Sequence, residues 1–328
     1  MKAVWYTRNG AAREVLEYGE LPNPEPGIGE VRVKLYTSGI NPSDVKFRQR
    51  RALDFEQIVP HSDGAGVIDY VGPGVGSHRV GQRVWVWNAQ WRRPFGTACE
   101  YVVLPEAQAV PLPQPVSFEQ GACLGIPALT AVQSIRLASA TTSLAGKTVL
   151  VTGAGSAVGH YVTQMAVLEG ARVIGTAGSD VRRNDAEQAG AFSVIDYKQT
   201  AVGPRVLDLT QGAGVDAIID MDFSSTAALL SENILKAHGV YVCYGSNTTG
   251  VLPVDLKTLL WRSIDLRCFL VYDLLPDDRV ACIDQLTSWL KQGRLQHRVA
   301  KTFRLRQTAA AHEFVESGAK RGTVVLKI

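Results

Sequence analysis

The segment that most constrains the fold of this chain is 148–159, which reads Thr-Val-Leu-Val-Thr-Gly-Ala-Gly-Ser-Ala-Val-Gly. Its β-branched start predicts a short buried strand, the small residues that follow predict a tight turn, and the stretch after them predicts a helix. This order brings free backbone N–H groups and the positive end of a helix dipole to one point, which suits the pyrophosphate of a dinucleotide. The segment lies near the middle of the 328 residues, so a sizeable and different region precedes it.

The glycine pattern of this turn is imperfect. A Gly-x-Gly-x-x-Gly motif that ends at Gly159 requires glycines at 154 and 156, where the chain has Ala154 and Ser156. Small residues still permit close approach of the backbone to a ligand, and the Ser156 hydroxyl could itself donate to a phosphate. The alternative is a tight strand-to-helix turn that binds no ligand.

Two regions of different character flank this turn. Before about residue 120, strand-like alternation over 30–36 and 83–87, separated by glycine and proline turns, predicts a small β-barrel. After it, strands and helices alternate, which predicts a Rossmann-type, doubly wound parallel sheet. We expect domains at 1–122 and 123–265, with 266–328 returning to the first.

Within the second domain the pattern predicts three elements after the fourth strand. They are a helix over 226–236, a strand over 239–244 and a further strand within 264–271. The last of these is an apolar stretch that we expect at the edge of the sheet, where a second copy of the chain can pair with it. A helix that covers the edge is the alternative.

Composition excludes several classes of protein. The net charge of +3 is too small to indicate a nucleic-acid partner, and no run approaches the ~20 apolar residues of a membrane span. The five cysteines are widely spaced, which predicts buried free thiols in a reducing cytoplasm. No signal-peptide core is evident, so we expect a cytoplasmic protein.

The end of the second predicted strand distinguishes between the two nicotinamide cofactors. An NAD site usually has an acidic side chain there, about 20 residues past the glycines, for the ribose 2′-hydroxyl. Here Gly178 and Ser179 stand in that region, followed by Arg182 and Arg183, either of which suits a 2′-phosphate. Asp180 is the dissenting residue, although we expect it to cap a helix. The sequence therefore favours NADPH.

Several short motifs in order resemble one family over essentially the whole chain. They are Met1-Lys-Ala-Val4, Gly39-Ile-Asn-Pro-Ser-Asp44, Pro60-His-Ser-Asp-Gly-Ala-Gly66, Gly81-Gln-Arg-Val84, Gly96-Thr-Ala-Cys-Glu-Tyr101 and Pro127-Ala-Leu-Thr-Ala131. The chain resembles zinc-independent medium-chain dehydrogenase/reductases of the quinone oxidoreductase, zeta-crystallin-like branch. The resemblance implies a GroES-like β-barrel catalytic domain beside the Rossmann domain, and a homodimer.

The positions that carry zinc ligands in the family's alcohol dehydrogenases differ here. Asn41 stands in place of a cysteine, and Ser62 and Asp63 stand in place of a His-Glu pair. His61 lies one place early, and we expect it to be a structural hydrogen-bonding residue. The chain has no Cys-x-x-Cys lobe either. Without a Lewis acid, we expect hydride transfer to electron-poor acceptors, such as quinones or α,β-unsaturated carbonyls.

The resemblance also implies the contacts of the cofactor. We expect the pyrophosphate at Gly155, Ser156, Ala157 and Val158, and the adenosine 2′-phosphate at Gly178, Ser179, Arg182 and Tyr197. We expect the cofactor groove at Tyr244, Gly245, Ser246 and Asn247, the nicotinamide at Asn41, Thr130, Cys268, Phe269 and Leu270, and a closing contact at Arg321 and Gly322. Residues 269 and 270 could instead be ordinary core residues.

Two residues bear on the substrate. Lys46 stands where family members often have a tyrosine in the substrate cleft, and it is either a partner for a substrate oxygen or a solvated charge. Trp91 follows an aromatic strand in which Trp85 and Trp87 share a face, so at least one of those two belongs to the core. Trp91 is the candidate for stacking on a flat substrate, although loop aromatic residues also mark partner interfaces.

We therefore predict direct hydride transfer from NADPH to a conjugated carbonyl held between the two domains, with no dedicated acid or base. The alternatives within the same chemistry are 2-alkenal and enone reductases. A short-chain dehydrogenase is disfavoured, because the glycine turn lies in mid-chain and no tyrosine has a lysine four residues later. A protein that only binds NADPH, crystallin-like or RNA-binding, would oxidise no NADPH.

Overall fold

The chain folds into two compact units. A computed structural model describes residues 1–248 and 250–328. The first unit comprises 1–126 and 287–328, and the second comprises 127–286. The chain thus crosses between the units a few residues after the predicted position 122, and it returns about twenty residues after the predicted position 265.

The elements follow one another in this order. The first part of the first unit contains β1 (Lys2–Trp5), α1 (Ala12–Val15), β2 (Glu17–Glu20), β3 (Glu30–Ile40), α2 (Pro42–Arg50), β4 (Asp63–Val71), β5 (Arg83–Val86), β6 (Tyr101–Pro105), β7 (Ala109–Pro111) and α3 (Phe118–Gly121). The second unit contains α4 (Leu129–Ala138), β8 (Thr148–Val151), α5 (Ala157–Leu168), β9 (Arg172–Ala177), α6 (Asp180–Gln188), β10 (Ser193–Asp196), α7 (Val202–Leu209), β11 (Val215–Asp220), α8 (Phe223–Thr226), β12 (Leu235–Cys243), α9 (Leu256–Trp261) and β13 (Asp265–Cys268). The chain then runs through α10 (Pro276–Lys291), β14 (Val299–Arg304), α11 (Thr308–Glu316) and β15 (Thr323–Lys327).

The first unit is built on a seven-stranded sheet. Its path is β14-β15-β3-β4-β5-β7, and β6 pairs with β3. The long strand β3 alternates buried and less buried positions along its first half, because one face packs on the core. Strand β15 pairs antiparallel with β3, so that Val325 lies opposite Gly39. The C-terminal segment therefore returns to the β-rich unit, as the sequence predicts.

The second unit is a doubly wound parallel sheet. Its strand order is β10-β9-β8-β11-β12-β13, with all neighbouring pairs parallel. Numbered within the unit, the strand order is 3-2-1-4-5-6. Strands 2 and 3 are added on one side of the first strand and strands 4 to 6 on the other side. The crevice at that point lies at the carboxyl ends of β8 and β11, and the strand β13 lies at the sheet edge. The predicted fold class is confirmed.

The predicted helix over 226–236 is wrong. The structure has the short helix α8, a 3₁₀ segment at Ala227–Glu232 and then Asn233 in a left-handed conformation with φ +58°. The left-handed residue ends the helix, and the buried residues Ile234 and Leu235 turn the chain into β12. That strand begins four residues before the predicted position 239.

The five thiols differ in their exposure to solvent. Cys99, Cys123, Cys243 and Cys282 are buried and unpaired, whereas Cys268 is exposed, so the prediction that the thiols are buried is wrong for that residue. Its position at the end of an edge strand leaves one side of it uncovered.

The helices of residues 1–248 and 250–328 are all too short or too polar to cross a membrane.

Candidate functional site

Three glycines shape the turn between β8 and α5. Gly153 has φ +60°, a conformation that other residues rarely adopt. A Cβ atom on Gly155 would lie 2.3 Å from the carbonyl oxygen of Arg182, and one on Gly159 would lie 2.2 Å from that of Gly153. The required glycines are thus at 153, 155 and 159. Ala154 and Ser156 are not defects of the motif, because the close approaches occur at other positions.

Serine residues cap the two helices that begin at this edge of the sheet. The Ser156 hydroxyl accepts from the backbone N–H of Gly159 at 3.0 Å, and the Ser179 hydroxyl accepts from that of Arg182 at 3.4 Å. The predicted cap at Asp180 is wrong, because the serine before it has the extended conformation of an N-cap residue. The uncapped N–H groups of both first turns remain available to an anion.

A cavity of about 540 Å³ lies at this edge of the second unit. That volume is within the usual range for a small-molecule or cofactor site. Its lining residues are Thr152, Gly153, Gly155, Ser156, Thr176, Ala177, Gly178, Arg182, Tyr197, Val202, Met221, Asp222, Ser225, Thr226, Leu229 and Asn247. Six of the predicted cofactor residues, from 155 to 247, are therefore brought together around one cavity.

The two adjacent arginines of α6 have different surroundings. Arg183 forms ion pairs with Asp180 at 3.2 Å and Asp196 at 3.5 Å, so its charge is already matched. Arg182 lines the cavity, beside Gly178 and Tyr197. Arg182 and Arg183 are the two candidates of the sequence analysis for a 2′-phosphate. Of these, Arg182 lines the cavity.

Asp222 is a cavity residue that the sequence analysis missed. Its carboxylate accepts from the hydroxyls of Ser224 and Ser225 and from both the backbone N–H and the side-chain amide of Asn247. Burial pushes the pKa of this carboxyl up, but the hydrogen bonds outweigh burial and hold the pKa below its ordinary value. The charged carboxylate thus fastens the loop after β11 to the loop after β12. One sequence feature could have revealed Asp222. It is a second acidic residue, two positions after Asp220, in a stretch predicted to lead into a helix.

The strand ends beneath the cavity are joined by hydrogen bonds. The Thr152 hydroxyl donates to Asp220 at 2.6 Å and accepts from the backbone N–H of Met221 at 2.9 Å. The Thr176 hydroxyl accepts from the N–H of Gly153 at 3.0 Å. Burial raises the pKa of Asp220 above its ordinary value, although the hydrogen bond from Thr152 opposes that shift. The strands β8, β9 and β11 therefore present a fixed floor to a ligand.

The remaining predicted residues of the second unit lie near these loops without lining the cavity. Ala157 and Val158 occupy the half-buried first turn of α5, Thr130 is buried on α4, and Tyr244, Gly245 and Ser246 follow β12. Cys268 ends β13, Phe269 is half-buried and Leu270 is half exposed. The alternative that residue 270 is a core residue is thus wrong, since half of its side-chain surface meets solvent.

In the first unit, Asn41 is the centre of a buried polar cluster. It precedes α2, its backbone N–H donates to Asp44 at 2.7 Å and its side-chain amide donates to Asp63 at 2.7 Å. Asp63 also accepts from the backbone N–H of Ile126. Burial raises the pKa of Asp44 to about 7 and that of Asp63 well above its ordinary value, although the hydrogen bonds from Asn41 oppose both shifts.

His61 is a buried hydrogen-bonding residue, as expected. Its Nδ1 lies 2.9 Å from the Ser38 hydroxyl and its Nε2 lies 2.8 Å from the Nε2 of His312. Burial lowers the pKa of His61 to about 3, so the ring is neutral at physiological pH. In the part of the chain that the structure describes, no group of three or more His, Cys, Asp and Glu side chains could hold a metal ion.

The predicted substrate residues also lie in the first unit. Lys46 is exposed on α2, while Trp91 is half-buried in the loop after β5. The guanidinium groups of Arg51 and Arg92 lie 5.1 Å and 5.4 Å from the Trp91 ring, within the range of cation–π contacts. The predicted core role of the aromatic strand is confirmed at Trp85, which is fully buried.

The last predicted pair directly precedes β15. Arg321 is exposed, and Gly322 has φ +115°. A Cβ atom on Gly322 would lie 2.3 Å from the carbonyl oxygen of Arg298. A larger residue at 322 would therefore force the two backbones apart.

Comparison with known proteins gives consistent matches along the chain. A family model described as the alcohol dehydrogenase GroES-like domain matches residues 27–114, and one described as zinc-binding dehydrogenase matches 157–289. A quinone oxidoreductase of Pseudomonas aeruginosa is 30% identical over 319 residues, which is 95% of each chain. A 2-haloacrylate reductase of a Burkholderia species is 26% identical and covers 99% of this chain and 98% of its own. A mycobacterial protein solved in complex with NADPH has a TM-score of 0.87 at 28% identity, with both chains fully covered.

Proposed function

Because this chain belongs to the quinone oxidoreductase branch of the medium-chain dehydrogenase/reductase family, we propose that it transfers hydride from NADPH directly to a quinone or another conjugated carbonyl. The chain is an oxidoreductase and its cofactor is NADPH. The observation that carries the proposal is the cavity at the carboxyl edge of the parallel sheet, which combines a glycine turn, two helix N-termini and Arg182.

The residues of this cavity fit NADPH. The glycine turn allows the backbone to approach a pyrophosphate closely, and the first turn of α5 offers N–H groups to its charge. Arg182 offers a guanidinium for the 2′-phosphate, with Tyr197 beside it. When bound, the nicotinamide supplies a hydride, and the role of the chain is to orient that ring and to exclude water. The other predicted cofactor contacts do not line the cavity, and we propose them on the family membership alone.

We propose that the reaction uses no zinc, and the argument rests on the donor set around Asn41. A carboxamide replaces the thiolate that zinc prefers, and its N–H₂ group faces the carboxylate of Asp63 as a donor. That carboxylate is further occupied by the N–H of Ile126. The groups of Asn41 and Asp63 at the positions of zinc ligands therefore bind each other. An acceptor that needs no Lewis acid, because conjugation already makes it electron-poor, suits this arrangement.

A second candidate reaction is the reduction of a carbon–carbon double bond conjugated to a carboxylate. The guanidinium groups of Arg51 and Arg92 lie close to the ring of Trp91, although Arg51 also pairs with Asp54 at 3.2 Å, and Lys46 is exposed on α2. An aromatic ring with cations close to it suits a flat, negatively charged substrate. The similarity to the Burkholderia 2-haloacrylate reductase favours the same chemistry.

The experiment that tests these reactions is a screen of NADPH oxidation. The acceptors are a benzoquinone, a phenanthrenequinone, a cyclic enone, a 2-haloacrylate and a saturated aldehyde, each also measured with NADH and with a zinc chelator. We expect turnover with quinones or enones, a preference for NADPH and no effect of the chelator. Binding of NADPH without turnover of any acceptor would instead identify a binding protein, and chelator sensitivity would contradict the zinc-free reaction.

We also propose that two copies of the chain pair through β13. This strand is at the sheet edge, and α9 just before it exposes Leu256, Leu260 and Trp261. An uncovered strand edge beside exposed apolar side chains is typical of a two-fold interface.

We propose a cytoplasmic location, which the free thiols and the use of NADPH support.

A further inference from the structure

Two cysteines of the second unit lie opposite each other on neighbouring parallel strands. Cys243 ends β12, Cys268 ends β13, and the two are partners in the strand register. Parallel strands lie about 4.7–4.9 Å apart, and register partners direct their side chains to the same face. A disulfide requires Cα atoms about 4.4–6.8 Å apart. The backbone therefore already satisfies the main requirement for a bond between the two thiols.

The two thiols differ in their access to solvent. Cys243 is 8% exposed and its thiol donates to the carbonyl oxygen of Gly245 at 3.3 Å, whereas Cys268 is exposed. Burial raises the pKa of Cys243 to about 12, and the neighbouring Cys268 contributes in the same direction. Cys243 is therefore a protonated, protected thiol near neutral pH. Of the two thiols, only Cys268 is positioned to meet a dissolved oxidant first, and it is so while no second chain covers β13.

We propose that Cys243 and Cys268 form a reversible oxidation site that closes as a disulfide when the protein meets a hydroperoxide. The Cys268 thiolate attacks the peroxide, takes one oxygen as a sulfenic acid and releases hydroxide, or an alkoxide from an organic peroxide. The Cys243 sulfur then attacks the sulfenic sulfur. The sulfur–sulfur bond forms, the sulfur–oxygen bond breaks, and the leaving hydroxide takes the Cys243 proton and departs as water. A dithiol reductant returns both residues to thiols.

This bond would affect the edge of the sheet and the loop beside the cavity. Strand β13 is only four residues long, and a covalent link to β12 would hold it in register. Closing the disulfide also removes the Cys243 thiol proton that bonds to Gly245, two residues before the cavity residue Asn247. Loss of this one weak hydrogen bond should raise the Kd for NADPH by about fivefold or less on oxidation.

The test is thiol mapping of the full-length protein before and after hydrogen peroxide. The reaction is stopped with catalase, remaining thiols are alkylated and the protein is digested without reductant. We expect one cross-linked peptide that joins 243 and 268, a mass lower by two hydrogen atoms, and full reversal by dithiothreitol. Cys282, buried beside Gln133, is an internal control that should stay a free thiol throughout.

Two variants separate the steps. In Cys243→Ala we expect dimedone to trap a sulfenic acid on Cys268, because the second thiol is gone. In Cys268→Ser we expect no cross-link and no dimedone adduct. The proposal is overturned if the wild-type protein accumulates over-oxidised Cys268 with Cys243 still alkylatable, if peroxide changes neither thiol, or if Cys268 instead links two chains on non-reducing gels. None of these results depends on which acceptor the enzyme reduces.

Discussion

At the scale of single residues, the two arginines of α6 allow a matched comparison. Arg182 lines the cavity, whereas Arg183 is paired with Asp180 and Asp196. A hydrogen bond to a charged group contributes about 1.5–3 kcal/mol, so Arg182→Ala should raise the KM for NADPH by about 10- to 100-fold. The KM for NADH, which has no 2′-phosphate, should change little. Steady-state kinetics with both cofactors measure this.

The control for that prediction is Arg183→Ala. Because its charge is matched by two aspartates, this change should leave the ratio of the NADPH and NADH specificity constants within about threefold of the wild type. An equal loss of both cofactors in Arg182→Ala would contradict a 2′-phosphate contact. So would a larger shift of preference in Arg183→Ala than in Arg182→Ala.

The sequence predicted Arg182 near the cavity but not Asp222, and the reason is physical. An arginine near the end of a second strand follows from the local geometry of a Rossmann unit. Asp222 takes its role from donors on Asn247, which lies 25 residues further along the chain. Such a pairing depends on how two loops meet, and local propensity carries no information about that.

Asp44 should make stability depend on pH. Burial raises its pKa from 3.8 to about 7, so between these values the folded chain keeps a proton that the unfolded chain has released. The free energy of unfolding therefore falls as pH rises through this window, by no more than about 4 kcal/mol from this group. Asp44→Asn should remove that part of the decline and keep an acceptor for the N–H of Asn41. Urea denaturation from pH 4.5 to 8 measures the difference.

Another buried group, His61, makes the free energy of unfolding change with pH in the opposite direction. Its effect must be distinguished from that of Asp44. The pKa of His61 is lowered to about 3, so its contribution to stability increases as pH rises from about 3 to 6.5. Asp63 has a raised pKa as well, so some decline should persist in Asp44→Asn. If the variant and the wild type have parallel curves from pH 4.5 to 8, Asp44 is not the titrating group.

At the scale of secondary-structure elements, Gly159 determines how closely α5 approaches the turn after β8. A Cβ atom there would lie 2.2 Å from the carbonyl oxygen of Gly153, so Gly159→Ala must displace the helix or the turn. Overpacking of this kind costs about 1–3 kcal/mol, and we expect a lower Tm. Because the same displacement moves the N–H groups at the start of α5, the Kd for NADPH should rise by at least about tenfold.

Gly250→Ala is the matched control for this change. A Cβ atom on Gly250 meets nothing within 4 Å, so its Tm should stay close to that of the wild type. Differential scanning fluorimetry gives both melting temperatures, and titration with NADPH gives the affinities. A wild-type affinity in Gly159→Ala would show that the cofactor does not use the start of α5.

Elements with a strong periodic pattern were predictable, and irregular ones were not. The strand β8 and the helix α5 follow from an apolar run and a glycine turn. The stretch 226–236 has helix-forming residues, but the left-handed Asn233 and the buried Ile234 take the chain into β12 instead. Tertiary burial thus overrides a weak local preference for helix.

At the scale of the whole molecule, the boundaries of the two units depend on pairings that the sequence does not reveal. Composition changes near residue 120, and the crossing at 126 lies close to that change. The return was expected at 265, yet β13 continues the parallel sheet through its register with β12, and the second unit extends to 286. Strand pairing is a non-local choice, so a change of composition marks only one of the two crossings.

The proposed pairing of two chains through β13 makes a prediction about mass in solution. Leu260 and Trp261 are 61% and 77% exposed on α9, directly before the edge strand. Two chains that bury these side chains would be separated by the double change Leu260→Glu and Trp261→Glu, because charge would then face charge across the two-fold axis. Light scattering should give the mass of one chain, 35.5 kDa, for the variant and of two chains for the wild type.

The control for that experiment is the same chemical change at an exposed apolar position on another element. Val280 is 58% exposed on α10, and Val280→Glu should leave the paired form intact. The cavity residues belong to one chain, so the separated variant should still bind NADPH with a Kd within about threefold of the wild type. A wild-type protein that has the mass of one chain at all concentrations would refute the pairing. Loss of pairing in Val280→Glu alone would move the interface from β13 to α10.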